Sequence, residues 1–251
     1  IAKTLGVDAV YTNHDYEPSA IERDLAIEKD LAGKGIQFEH FKDQVIFEKT
    51  EVLTNSGTVF SVFTPYKNAW LKKLSPQDLE PLSCDTSKKG SGQYAPLPKN
   101  INQSIPTLKS MGFEPTGIEK YLPAGAQGAQ LFLNDFLKRI DQYNLGRDFP
   151  ATKGVSYLST YLRFGLLSIR GLVREAHRRM IAGSMGANTW LSELIWRDFY
   201  FMILANHPRL ASGASFKPDY EKIEWEKGSK AKKLFKAWCD GQTGYPLVDA
   251  A

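Results

Sequence analysis

The rhythm of apolar positions divides this chain into three stretches. Residues 7–12 form a short apolar run of strand length. A polar loop follows from Asn13 to Pro18, and Ser19-Ala-Ile-Glu22 has the form of a capping box. Ile21, Leu25, Glu28 and Leu31 carry a helical repeat that Gly33 and Gly35 bring to an end. Residues 36–41, 45–47 and 59–63 read as strands, and Thr64-Pro65 opens a second helix running through Trp70 and Leu74. Strands alternating with helices predict an α/β layer on a parallel, Rossmann-like sheet. The strands are too few for a complete doubly wound domain, so residues 1–74 read as the C-terminal part of one.

From residue 75 to 125 the periodicity fades, and Pro, Ser, Gly and Lys become frequent. This composition suits a long interdomain linker lying on the surface. From 126 to 251 the pattern is helical throughout. Helices are predicted over 129–143, 156–164, 168–181, 188–205 and 230–239, the third capped by Ser168 and ended by Gly183. Pro246 sits where a further helix would begin. The chain opens on what reads as the end of a helix and closes on what reads as the start of another. An interior stretch of a longer protein is therefore expected: the remnant of an α/β domain followed by the first half of an all-α domain.

Composition narrows the chemistry. The net charge of +4 and a pI near 8.9 permit a nucleic-acid partner without demanding one. Cys84 and Cys239 stand far apart with no CxxC spacing, so neither a disulfide framework nor a zinc site is expected, and a reducing compartment is the default, the cytoplasm if the protein is bacterial. The four histidines are scattered and give no metal-ligand spacing. No apolar run reaches membrane-spanning length and no signal peptide is visible.

The densest chemistry lies between Trp190 and Tyr200. On a helix, Glu193, Trp196, Arg197 and Tyr200 fall at i, i+3, i+4 and i+7 and share a face, with Trp190 at its edge. Glu193 before Arg197 also suits an ordinary helix ion pair worth roughly a few tenths of a kcal/mol. Flat aromatics beside paired charges better suit a pocket holding a flat, partly polar molecule. Ser156 and Ser159 place hydroxyls at a predicted helix start, where free N–H groups and the helix dipole favour phosphate, though plain N-capping is the favoured explanation from the residues alone. Tyr143 and Arg147-Asp148 lie in the loop before that helix, where Arg147 could meet a phosphate or form a surface pair. Trp225 and Trp238 read as ordinary packing residues.

Six stretches taken together resemble the DNA photolyase/cryptochrome family: Asn13 to Glu17, Phe63 to Leu71, Arg147 to Pro150, Ser156 to Gly165, Trp190 to Tyr200 and Trp238 to Ala251. They follow the family's order and span nearly the whole chain. The resemblance implies an α/β antenna domain, a long connection and an all-helical domain that binds FAD. It implies that Tyr143, Val155, Ser156, Tyr157, Leu158, Ser159, Trp190 and Arg197 line the FAD site, with Ser156 and Ser159 toward its phosphates. Val155 stands where relatives often carry Thr, so one hydroxyl contact is absent. Arg147, Glu193, Trp196, Arg197 and Tyr200 are implied to contact UV-damaged DNA.

Glu193 and Trp196 resemble the branch that repairs cyclobutane pyrimidine dimers. There the Glu hydrogen-bonds the damaged base and the Trp packs on the dimer. The (6-4) photolyases and animal cryptochromes usually carry Gln at the Glu193 position. A dimer-splitting photolyase is thus implied ahead of a cryptochrome-type blue-light photoreceptor. Trp225 resembles the surface-end member of the tryptophan chain that photoreduces FAD. Glu17 resembles a residue that binds a methenyltetrahydrofolate antenna, but the Lys that accompanies it in relatives is missing near Ser212, which leaves a deazaflavin or no antenna open. A monomer is expected.

Overall fold

The computed structural model describes residues 1–82, 98 and 104–250. Much of the predicted linker, with Cys84, lies outside the described residues. A short helix, α1 (Ala2–Leu5), leads into β1 (Ala9–Asn13). β1 pairs in parallel with β2 (Gln37–Phe41), from Ala9 opposite Gln37 to Asn13 opposite Phe41. Parallel neighbours need a crossover, and α2 (Pro18–Ala32) supplies it.

The entry to α2 differs from expectation. The helix begins at Pro18, ahead of Ser19, and no capping box forms. Proline, with its fixed φ and missing N–H, fits the first helical turn. Asp15 turns the chain instead, its Oδ1 accepting from the N–H of Tyr16 at 2.7 Å and of Glu17 at 3.2 Å.

Two predicted strands are not strands. Residues 45–47 are buried in an irregular segment, and residues 59–62 are an irregular approach to α3 (Phe63–Lys73). Apolar runs this short mark burial without fixing backbone conformation. Among the described residues the sheet has only β1 and β2.

The predicted 129–143 helix is broken in two: α4 (Gly125–Leu137), a 3₁₀ turn at Ile140–Gln142, then α5 (Tyr143–Gly146). After it come α6 (Ser159–Arg163), α7 (Ile169–Ile181) and the 22-residue α8 (Met185–Asn206). α8 is the central element. It packs against α3, α5, α7 and the 140–142 turn, which is why apolar side chains run around most of its circumference. Its N-terminus is capped by Ser184, whose Oγ accepts from the Ala187 N–H at 3.1 Å. Gly186 permits the close approach to the turn: a Cβ there would stand 2.2 Å from the Ile140 carbonyl oxygen.

Contacts divide the chain into two compact units, Ile1–Pro208 and Arg209–Ala251. The α/β stretch and helices α3 to α8 thus share one unit. The second holds a 3₁₀ turn at Pro218–Lys222, α9 (Gly228–Cys239) and α10 (Pro246–Asp249), with Pro246 in the first turn as expected.

Candidate functional site

The Glu193–Arg197 ion pair that their spacing allows does not form. Glu193 Oε1 accepts instead from Arg147 Nη1 at 2.5 Å, and the Arg147 guanidinium lies 5.4 Å above the Tyr143 ring. That bond holds the guanidinium above its ordinary pKa. Burial raises the Tyr143 hydroxyl. Gly154 keeps the loop carrying Arg147 folded on itself, since a Cβ there would stand 2.0 Å from the Gly146 carbonyl oxygen.

Arg197 turns to the α/β layer. Its Nη1 donates to the Gln44 carbonyl, and its guanidinium lies 4.6 Å over Phe201. Burial pulls its pKa below the arginine norm. These contacts do not bring it to Glu193, so the predicted face divides among different partners.

Trp196, one turn along from Glu193, is half-buried. Phe63 stacks on it with ring centroids 3.6 Å apart and planes 7° from parallel. Tyr200 lies 5.4 Å away at 22°, its side chain 62% exposed. Glu193, Trp196 and Tyr200 therefore do share an accessible stretch of α8. Trp190 does not: it is 3% exposed and meets Phe136 edge-on at 4.8 Å.

The predicted 156–164 helix starts late, at Ser159, with Leu158 as its cap and no side-chain cap bond. The reason is Tyr157, whose φ of +58° is left-handed and incompatible with a helix. Ser156 lies outside the helix, its Oγ accepting from the Leu158 N–H at 3.4 Å. The five-residue α6 has too few aligned peptides for the dipole argument to carry phosphate binding. What the segment does offer is exposure. Val155, Tyr157 and Ser159 face solvent, Ser156 is half-buried, and Leu158 is the buried anchor. No hydrogen bond of the Ser159 hydroxyl is present among the described residues. A bulky residue held in left-handed backbone is the kind of strain found at ligand clamps.

Two residues were not singled out from the sequence. Phe63 begins one of the six family-like stretches, but nothing in its surroundings names Trp196 as its partner. Asp198 is 1% exposed; its Oδ2 accepts from Ile46 N–H at 3.0 Å, Phe47 N–H at 3.2 Å and Trp70 Nε1 at 3.0 Å. These bonds satisfy the 45–47 backbone that a sheet would otherwise have paired. Its position between Leu194 and Met202 at spacing four was the available signal of a buried acid.

Glu17 Oε1 accepts from Arg163 Nη2 at 2.9 Å. Arg163 lines a cavity of about 420 Å³ with Arg170, Arg197, Asn13, Gln44 and Ser168. A second cavity, of about 240 Å³, lies among His14, Tyr16, Asp24, His40, Lys49 and Ala205. Tyr16 Oη donates to Glu48 Oε2 at 2.6 Å. Burial opposes ionisation of Glu48, but the bonds from Tyr16 and His14 outweigh it and lower its pKa. In the second unit, Trp225 is 75% exposed between the 218–222 turn and α9. No group of three or more His, Cys, Asp or Glu among the described residues could hold a metal, and no helix there is long and apolar enough to cross a membrane.

Comparisons with known proteins bear on this geometry. A family model for DNA photolyase matches residues 1–85, and one for the FAD binding domain of DNA photolyase matches 190–251. A deoxyribodipyrimidine photo-lyase of Vibrio cholerae is 34% identical over all of this chain and 52% of its own length. One from Escherichia coli is 33% identical over 98% of this chain and 50% of its own. A class III photolyase from Agrobacterium tumefaciens shares the fold with a TM-score of 0.82 at 27% identity, over 99% of this chain and 50% of that one. An archaeal photolyase from Sulfolobus tokodaii, described with two FAD molecules, matches at a TM-score of 0.60 and 25% identity over 97% of this chain and 48% of that one. The chain spans about half the length of the curated relatives it matches. Both photolyase regions are matched in order and the fold is shared along the chain's length, so the chain is similar from end to end to DNA photolyases.

Proposed function

We propose that the protein is a light-dependent DNA-repair flavoprotein that splits cyclobutane pyrimidine dimers, a deoxyribodipyrimidine photo-lyase. The observation that carries this reading is the accessible stretch of α8 where Glu193, held by Arg147, stands one turn from Trp196. A carboxylate and an indole side by side suit a flat base with polar edges. Relatives that match nearly all of this chain are named for this activity.

The matched FAD-binding model supports FAD as the cofactor. Of the residues implied for it, Val155, Tyr157 and Ser159 are exposed and Ser156 is half-buried, so these are open to such a ligand, while Tyr143 and Leu158 are buried. Trp190 is buried against Phe136, which in turn meets Tyr143 edge-on. Ser156 and Ser159 offer hydroxyl donors to its phosphates. Reduced FAD, once bound, would supply the light-driven electron that opens the cyclobutane ring.

The chain's own groups position the substrate. The dimer leaves the duplex for the site, which costs least where stacking is already broken. Trp196 packs on it, Glu193 hydrogen-bonds its base edge, and Arg147 is placed to exchange its carboxylate partner for a DNA phosphate. Tyr200 borders the same surface. For an antenna chromophore, methenyltetrahydrofolate or a deazaflavin, the cavity lined by Arg163, Arg170 and Arg197, with Asp43 as its one acidic group among the described residues, offers an excess of cationic groups to an anionic substituent. The relative from Sulfolobus tokodaii is described with a light-harvesting cofactor.

The test uses full-length protein and dimer-containing DNA under blue light. Glu193→Ala is expected to lower repair yield well beyond any loss of FAD content. Equal loss of both would remove the residue from substrate recognition. Absence of light-dependent repair by the wild type, with flavin bound and reduced, would overturn the enzyme reading in favour of a photoreceptor.

A further inference from the structure

We propose that Phe63 is a positioning residue for Trp196, its ring fixing the plane of the indole on which the flipped base packs. The inference rests on the reading of Trp196 given above. A centroid distance of 3.6 Å with planes 7° from parallel is full van der Waals contact over one face of the indole. No base can enter there, so a substrate meets the part of the indole that Tyr200, 5.4 Å away and 22° from parallel, leaves open.

Face-to-face stacking is the least favoured arrangement for two aromatic rings, which prefer offset or edge-on contact. Phe63 therefore does not sit there for the stacking energy; it is put there by the register of α3 on α8. Two bonds set that register. Lys67 Nζ donates to Ser192 Oγ at 2.7 Å, and Trp70 Nε1 donates to the buried Asp198 Oδ2 at 3.0 Å. Ser192 and Asp198 bracket Trp196 on α8, so the helix bearing Phe63 is tied down on both sides of the indole. Phe199 closes the arrangement, edge-on to Phe63 at 5.8 Å and to Trp196 at 5.6 Å. Without that backing the half-buried indole keeps the rings of Phe199 and Tyr200 as neighbours but loses its closest parallel contact, and can change rotamer. The stack also joins the two regions matched by separate family models, residues 1–85 and 190–251.

The experiment measures binding of dimer-containing and undamaged oligonucleotides to the full-length protein, with KM and kcat for repair. Phe63→Ala is expected to lower the preference for the dimer by about tenfold. The loss should fall on KM more than on kcat, with flavin content and affinity for undamaged DNA unchanged. Phe63→Tyr, which keeps the ring, should match the wild type. Phe63→Leu, which keeps apolar volume without a flat face, should behave like the alanine variant. A leucine variant equal to wild type would reduce Phe63 to packing and overturn the proposal, as would an alanine variant with undiminished preference. Should Phe63→Ala fail to fold, the leucine and tyrosine pair decides. A wild type that shows no preference for the dimer would sink the functional reading itself, and the inference with it.

Discussion

Asp198 is the residue on which most of the local architecture converges. Three donors meet its Oδ2, while Oδ1 is buried with no hydrogen-bond partner among the described residues. Burial pushes its pKa up to about 6, against the opposing pull of the Trp70 and backbone bonds and of Arg197. An aspartate in the unfolded chain titrates near 3.9, so between these values the native state holds a proton that the unfolded state has released. The stability this group contributes is fully present below about pH 4 and is lost as pH rises through about 6. The difference between these two values corresponds to at most about 3 kcal/mol. Asp198→Asn retains an acceptor oxygen and removes the titration. Urea unfolding of both proteins from pH 4 to pH 7 should show the wild type losing ground to the variant, by up to about 3 kcal/mol over that range. A difference that stays constant with pH would mean that Asp198 does not titrate in the folded protein within this window.

At the scale of elements, α8 depends on how closely it can approach the turn before α5. Gly186→Ala improves intrinsic helix propensity by up to about 1 kcal/mol. The added Cβ, though, would fall 2.2 Å from the Ile140 carbonyl oxygen, where only backbone can give way. Overpacking of this kind costs about 1–3 kcal/mol, so the variant should melt at lower temperature, with unchanged or raised stability pointing to slack in the contact. The long helices were legible in the sequence for two reasons: an apolar repeat sustained over 13 residues marks α7 and its inner face, whereas α8 is marked by apolar content over 22 residues, without a single inner face. Their boundaries were not. Ser156 has the chemistry of a cap, but the left-handed backbone at Tyr157 keeps it outside the helix. Residues 45–47 looked like a strand because they are buried; their N–H groups find a carboxylate more than a hundred residues away, which no local pattern reveals. The site was half legible for the same reason. Helical spacing correctly put Glu193, Trp196 and Tyr200 side by side, whereas the partner of Glu193 proved to be Arg147, 46 residues earlier, and not Arg197, four residues later.

At the scale of the whole molecule, the two compact units divide the proposed tasks. Unit Ile1–Pro208 carries the groups assigned to the lesion, and the following unit carries Trp225. An indole that is 75% exposed suits the outer end of an electron path, since a reductant or water can reach the oxidised ring there. A role in supplying electrons to oxidised FAD differs from a role in repair, because enzyme already reduced needs no such supply. Trp225→Phe in the full-length protein should therefore slow photoreduction of oxidised FAD severalfold, followed as the loss of blue absorbance under illumination with an external reductant. The same variant, reduced chemically beforehand, should split dimers at the wild-type rate. Slower repair by the pre-reduced variant would assign Trp225 to the structure of the catalytic site, and unchanged photoreduction would send the electrons by another path.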